Sequence, residues 1–188
     1  MQNAQNMIMM LDNMNYNNNL MKQNISYNAI YNEFQKCQRD DDLLQIGCIF
    51  KLKDNDINQW KVTMCGPKET PYENGIFTIL ILFPPDYPLH GPEFKFINKI
   101  YHLNVDFKND LGHISLSHLN EWRVRGKVKA FPNYGIKQAL FDIFCLFFDQ
   151  GVESPYDEGM ANQYVNNRPE FDKEAKKWTQ KFATKLYD

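Results

Sequence analysis

The chain lacks any apolar run long enough to cross a bilayer. Its most apolar stretch, Ala139 to Phe148, is broken by Asp142 and falls well short of the roughly 18 to 20 residues that a span needs. It has little charge surplus of either sign: 21 basic residues against 23 acidic ones leave a net charge of -2, which offers no electrostatic footprint for nucleic acid. Met1 to Leu20 have neither the basic residues nor the continuous apolar stretch of a secretory signal, and no arginines of an organelle transit peptide. A cytoplasmic or nuclear address is the default expectation, with membership of an organellar or cytoskeletal assembly left open. Cysteine is scarce and scattered. Cys37, Cys48, Cys65 and Cys145 form no Cys-x-x-Cys pair, and His90, His102, His113 and His118 show no ligand spacing. Reduced, mostly buried thiols are expected, with no metal and no cofactor.

What is present describes one well-buried core. The 188 residues are 43% hydrophobic and 14% aromatic, enough for one domain plus an arm and too few for two ordinary domains with a linker. Residues 1–24 are rich in Asn, Met and Gln, a composition that does not fold alone. They are read as an arm, with residues 25–188 as the domain. The arm is expected to be a disordered tail or, since Met7, Met10, Leu11 and Met14 fall at helical spacing, a segment that orders against a partner.

From Ser26, a candidate N-cap, the apolar positions Ala29, Ile30, Phe34 and Cys37 predict a first helix that ends at the Asp40 to Asp42 run, since acids at a helix C-terminus are unfavourable. Strands are predicted at Leu43 to Lys53, Gln59 to Cys65, Ile76 to Phe83 and Phe94 to Ile97. The Asp54-Asn55-Asp56 cluster, Gly66-Pro67 and Asn74-Gly75 separate them as short turns, giving an antiparallel meander. Asn98 to Gly135 shows little periodicity of either kind and is predicted to be irregular, as functional loops often are. Helices return with the apolar face of Ile136, Ala139, Leu140, Ile143, Phe144 and Phe147, then from about Pro155 to Asn166, and finally from Pro169. The order is α+β: an N-terminal helix, a four-stranded antiparallel meander and three further helices, with the sheet covered on one side.

Several stretches together resemble one known family. Trp60 to Pro67, followed by Thr70-Pro71-Tyr72-Glu73-Asn74-Gly75-Ile76-Phe77, resembles the strand-turn-strand signature of the ubiquitin-conjugating enzymes. Phe83-Pro84-Pro85-Asp86-Tyr87-Pro88, Gly91 to Phe96 and Ile100-Tyr101-His102-Leu103-Asn104 then resemble, in order, that family's proline-rich turn, fourth strand and His-Pro-Asn motif. Gly112-His113-Ile114-Ser115-Leu116 and Trp122 sit where the family keeps its catalytic cysteine segment and a tryptophan. The likeness runs from about Ser26 to Tyr187, and several motifs in a shared order carry far more weight than a single short one.

The resemblance implies a ubiquitin-conjugating fold and a thioester-carrying cysteine, and here that position reads Ser115. A thiol is partly ionised near neutral pH, whereas a serine hydroxyl is a weak nucleophile without an adjacent base. His113 and His118 flank it, but no Gly-x-Ser-x-Gly elbow accompanies them. The resemblance further implies that His102 and Asn104 belong to the site, Asn104 at the position that stabilises the oxyanion. It places Ser154 where an acid helps deprotonate the incoming lysine, with Glu153 adjacent. Leu103 stands where the family has proline. After Trp122 a short loop that touches ubiquitin ligases becomes a basic insertion carrying Arg123, Arg125, Lys127 and Lys129, and Leu89 takes the other ligase-contact position. That insertion is expected to be either a solvated charged loop or a contact for an acidic partner surface.

Two explanations of Ser115 stay open at this stage: natural loss of the nucleophile, or a cysteine replaced in an otherwise active enzyme. The departures at Leu103, Ser154 and after Trp122 favour natural loss. The expected role is then a protein-binding or scaffolding subunit of a larger assembly, whose partners would include ubiquitin or an active conjugating enzyme that it assists as a regulatory cofactor.

Overall fold

A computed structural model describes the backbone of residues 2–109, 111–129, 133–152 and 155–184, and the side chains of these except 2–13, 15–19 and 107–109. The chain forms α1 (Gln2–Cys37), α2 (Asp41–Gln45), β1 (Ile49–Lys53), β2 (Asp56–Cys65), β3 (Ile76–Leu82), β4 (Glu93–Phe96), β5 (Val105–Asn109), β6 (Leu111–Ile114), α3 (Ser117–Arg125), α4 (Ile136–Cys145), α5 (Glu158–Asn166) and α6 (Arg168–Phe182). The α+β layout is as predicted.

One antiparallel sheet of six strands runs in the order β1-β2-β3-β4-β6-β5. The four-strand meander is present, and its first turn is made by Asp54 and Asn55 at φ 53° and 59°, the left-handed pair that a two-residue hairpin turn requires. Two strands more than predicted come from the stretch read as irregular. Val105 pairs with Ile114, and His113 pairs with Lys95 of β4, so a hairpin folds back onto the sheet and the following residues form α3.

Along each strand the alternation sorts side chains between two faces. Phe50, Trp60, Val62, Met64, Phe77, Ile79, Ile81, Phe94, Phe96 and Ile114 point into a core shared with Ile30 and Phe34 of α1, Ile136, Ala139, Leu140 and Ile143 of α4, and Phe171 and Ala175 of α6. Trp60 is its hub, with ring centroids 5.0 Å from Phe34 and 4.5 Å from Phe83. On the other face, buried Leu80 has Lys61 and Lys95 as its direct cross-strand partners, long side chains whose alkyl stems suit covering apolar surface, and the Lys95 ammonium pairs with Glu93 at 2.9 Å.

Three local predictions are corrected. Ser26 is not an N-cap: α1 runs through it, and its hydroxyl is buried without a hydrogen-bond partner. The acids at 40–42 do more than end a helix, because Asp40 accepts the Leu43 N–H at 3.1 Å and so N-caps α2. The first strand therefore begins only at Ile49. Lys137 of α4 then bridges Asp40 and Asp42 at 2.9 and 2.6 Å, tying α4 to this corner. The last two helices start at Glu158, capped by Asp157, and at Arg168, with Pro169 in the first turn as read from the sequence. Of the N-terminal side chains singled out, Met7, Met10 and Leu11 lie outside those described, and Met14 is exposed.

Candidate functional site

The segment leaving β4 reaches the sheet edge through a turn at His102-Leu103-Asn104, and each of the three is buried. His102 Nδ1 accepts the Asn104 N–H at 3.0 Å, which obliges Nε2 to carry the proton and donate it to the Leu146 carbonyl at 3.0 Å. Burial pushes its pKa down to about 4, against a smaller opposing effect of the Leu146 bond. The ring is thus neutral at physiological pH and braces the turn.

Leu103 brings a backbone N–H to a fully buried position. Gln150 Oε1 accepts it at 2.9 Å, while the Leu103 carbonyl accepts from the Tyr156 N–H at 2.9 Å. Asn104 uses its side chain in the same way: Nδ2 donates to the Gly151 carbonyl at 2.8 Å and Oδ1 accepts the Gly151 N–H at 2.9 Å. Its backbone carbonyl accepts the Ser115 N–H at 2.8 Å. The connection after α4 and the segment after β6 are both held on this one turn, which brings Ser115 to Asn104 across 11 residues of sequence.

Ser115 is half-buried between the end of β6 and the start of α3. Its hydroxyl makes no hydrogen bond among the described residues. Both neighbouring histidines turn to acids, His113 to Glu93 at 3.2 Å and His118 to Asp142 at 3.0 Å. His113 reaches across to Glu93 on the neighbouring strand β4, and that contact, rather than a bond to Ser115, is what its ring makes. Glu153 and Ser154 lie outside the described residues.

The cysteines were expected to be mostly buried, and half of them are. Cys37 and Cys48 are buried, their thiols pushed up to about 12 chiefly by burial, so they are poor nucleophiles. Cys65 and Cys145 are exposed because each ends its element, β2 and α4. None lies on the turn or the segment that carries Ser115.

A second surface forms where the proline-rich turn meets α3. Gly91 donates its N–H to the Trp122 carbonyl at 3.2 Å, and a Cβ at Gly91 would lie 2.3 Å from the indole. Gly126 closes α3 at φ 70°, where a Cβ would come 2.1 Å from the Leu89 carbonyl; the position demands glycine on both counts. Leu89 and Val124 stand out of this junction at 69% and 65% exposure, and Arg123, Arg125, Lys127 and Lys129 are exposed around it. The described residues of the insertion are anchored to the domain. Val128 is buried, the Lys129 N–H reaches Glu121 at 3.4 Å, and the Tyr134 hydroxyl donates to Asp142 at 2.7 Å while its ring packs 5.4 Å from Trp122. Tyr134, Asp142 and Gln150 were not singled out from sequence. An acid interrupting an otherwise apolar run of sequence, as Asp142 does between Ala139 and Phe148, was the available signal for one of them.

Comparison with known proteins places these features in context. Residues 29–179 match the family model described as "Ubiquitin-conjugating enzyme". A curated relative, ubiquitin conjugating enzyme E2 B of Dictyostelium discoideum, is 34% identical over 136 residues, covering 72% of this chain and 85% of that protein. Among solved structures, an E2 domain of a Toxoplasma gondii ubiquitin conjugating enzyme is 34% identical with a TM-score of 0.67, covering 82% of this chain and 96% of that one. A candidate ubiquitin conjugating enzyme from Plasmodium yoelii is 33% identical with a TM-score of 0.70, covering 84% of this chain and 94% of the other.

Proposed function

The chain belongs to the ubiquitin-conjugating enzyme family, and on that premise we propose that it is a member without a working nucleophile, serving as a protein-binding subunit of a larger assembly. The observation that carries this reading is the environment of Ser115. The residue keeps its backbone bond to Asn104, yet among the described residues its hydroxyl has no hydrogen bond to a histidine or carboxylate, and His113 and His118 are directed to Glu93 and Asp142 instead. An unassisted serine hydroxyl is not ionised at neutral pH, and an ester on it would be a poorer acyl donor than a thioester.

The surface around Leu89 and Val124 supports the binding half of the proposal. An apolar pair encircled by four cations, in a chain whose net charge is -2, has the form of a hot spot with a charged rim. It fits an acidic protein surface with an apolar centre. Residues 1–24 are proposed as an additional arm; Leu20, Met21 and Ile25 near its junction with the domain are exposed and available to a partner.

Incubation with activating enzyme, ATP and ubiquitin, in parallel with Ser115→Cys, tests the reading. The chain as written is expected to form no adduct that a lysine can discharge; such an adduct on Ser115 would overturn the proposal. The retained Asn104–Ser115 contact favours a second reading, an active enzyme whose cysteine is replaced. Rapid discharge by Ser115→Cys would support that reading, and failure of both proteins would place the loss beyond one atom.

A further inference from the structure

The turn that carries Asn104 contains a polar problem of its own making. The resemblance gives proline at position 103, a residue without an N–H. Leucine there introduces a donor at a site with 0% exposure, and a buried N–H without an acceptor costs about 1–3 kcal/mol. Water does not reach it, and the acceptor it has comes from 47 residues away: the side chain of Gln150.

Gln150 is itself buried and engaged at both ends of its amide. Oε1 accepts from Leu103, and Nε2 donates to the Tyr72 hydroxyl at 2.7 Å, which in turn donates to the Tyr101 carbonyl at 2.7 Å. Its backbone N–H reaches the Tyr164 hydroxyl at 3.3 Å. A glutamine so fixed leaves little freedom to its neighbour, Gly151, and Gly151 is the residue whose N–H and carbonyl clamp the Asn104 carboxamide.

We infer that Gln150 is a positioning residue for Asn104: it supplies the acceptor that Leu103 requires and, through that bond, holds Gly151 where it fixes the orientation of the Asn104 carboxamide. The chemistry is a matched exchange. Proline needs no acceptor, leucine needs one, and Gln150 provides it while keeping the second half of its amide satisfied by Tyr72. Leu103 and Gln150 therefore act as one unit, and a change at either alone leaves a buried polar atom unpaired. The term "positioning" rests on reading Asn104 and Ser115 as the acyl-transfer turn; the hydrogen-bond network does not.

A four-protein cycle tests it: the wild-type chain, Gln150→Met, Leu103→Pro, and the double variant. The first readout is solvent exchange of the Asn104 side-chain amide protons by NMR. Gln150→Met is expected to speed that exchange by about 10- to 100-fold, the factor equivalent to an orphaned buried donor, and the double variant is expected to restore the wild-type rate because proline no longer needs the acceptor. A generic packing role for Gln150 would not be rescued by proline at 103. Exchange unchanged in Gln150→Met, or equally fast in the double variant, overturns the inference. Should Gln150→Met fail to fold, folding of the double variant supports it and failure of both overturns it. The same cycle on a Ser115→Cys background reads single-turnover discharge to free lysine, where the loss and its rescue should follow the exchange data. If Ser115→Cys does not discharge at all, the acyl-transfer reading falls, and the exchange cycle still decides the role of Gln150.

Discussion

The carboxamide of Asn104 and the peptide of Gly151 exchange two hydrogen bonds, 2.8 and 2.9 Å long, so this one side chain fastens the loop after α4 to the turn that precedes β5. Asn104→Asp keeps the shape and one acceptor but sets an oxygen against the Gly151 carbonyl. It is expected to destabilise the fold by on the order of 2 kcal/mol, the cost of an unmade bond at a buried polar pair. Urea unfolding at neutral pH measures this, and a loss below about 0.5 kcal/mol would contradict the clamp, lying within the range of ordinary surface changes.

His102 makes stability depend on pH. Its folded pKa of about 4 lies below the ordinary value of 6.5 because burial disfavours the charged ring, so below 6.5 the unfolded chain binds a proton that the folded one does not. The contribution is fully present above pH 6.5 and is lost as pH falls from 6.5 toward 4, amounting to on the order of 3 kcal/mol. Urea midpoints measured across that window should fall, and the fall should be shallower in His102→Gln, which can still accept from Asn104 and donate to Leu146.

The thiols divide by exposure. Iodoacetamide at neutral pH is expected to modify Cys65 and Cys145 in the native protein and to reach Cys37 and Cys48, buried with thiols raised to about 12, only on unfolding. Intact-mass spectrometry counts the adducts. A Ser115→Cys chain should add one more native label, because position 115 is only half-buried.

The basic insertion is pinned by Val128 and Tyr134. Tyr134→Phe removes the bond to Asp142 and should cost about 1 kcal/mol; Val128→Ala removes a buried anchor. Both are expected to speed limited tryptic cleavage after Lys127 and Lys129, followed by mass spectrometry. Cleavage at the wild-type rate would mean that the segment is held by neither.

Much of this architecture was legible in the sequence. The turns at Asp54-Asn55 and Asn74-Gly75 set the meander, and the face from Ile136 to Ile143 marked a core helix. The hairpin and α3 escaped notice for physical reasons. Strands β5 and β6 are five and four residues long and carry Asp106, Lys108, Asn109 and Gly112, residues of low strand preference. Helix α3 buries only Leu119 and Trp122, too few to display a period. The candidate site divided in the same way. Motifs nominated Ser115, Asn104 and Leu89 as candidates, whereas nothing nominated Gln150, because its partner lies 47 positions away and only folding brings them together.

The sheet closes on two short rims. Both outer strands, β1 and β5, are five residues long; β1 carries Lys51 and Lys53, and β5 carries Asp106 and Lys108. Brief, charged borders of this kind discourage unpaired strands from templating onto one another. Extension of the sheet edge to edge, in the hydrogen-bonding direction across the strands, is the mode of self-association that its construction opposes.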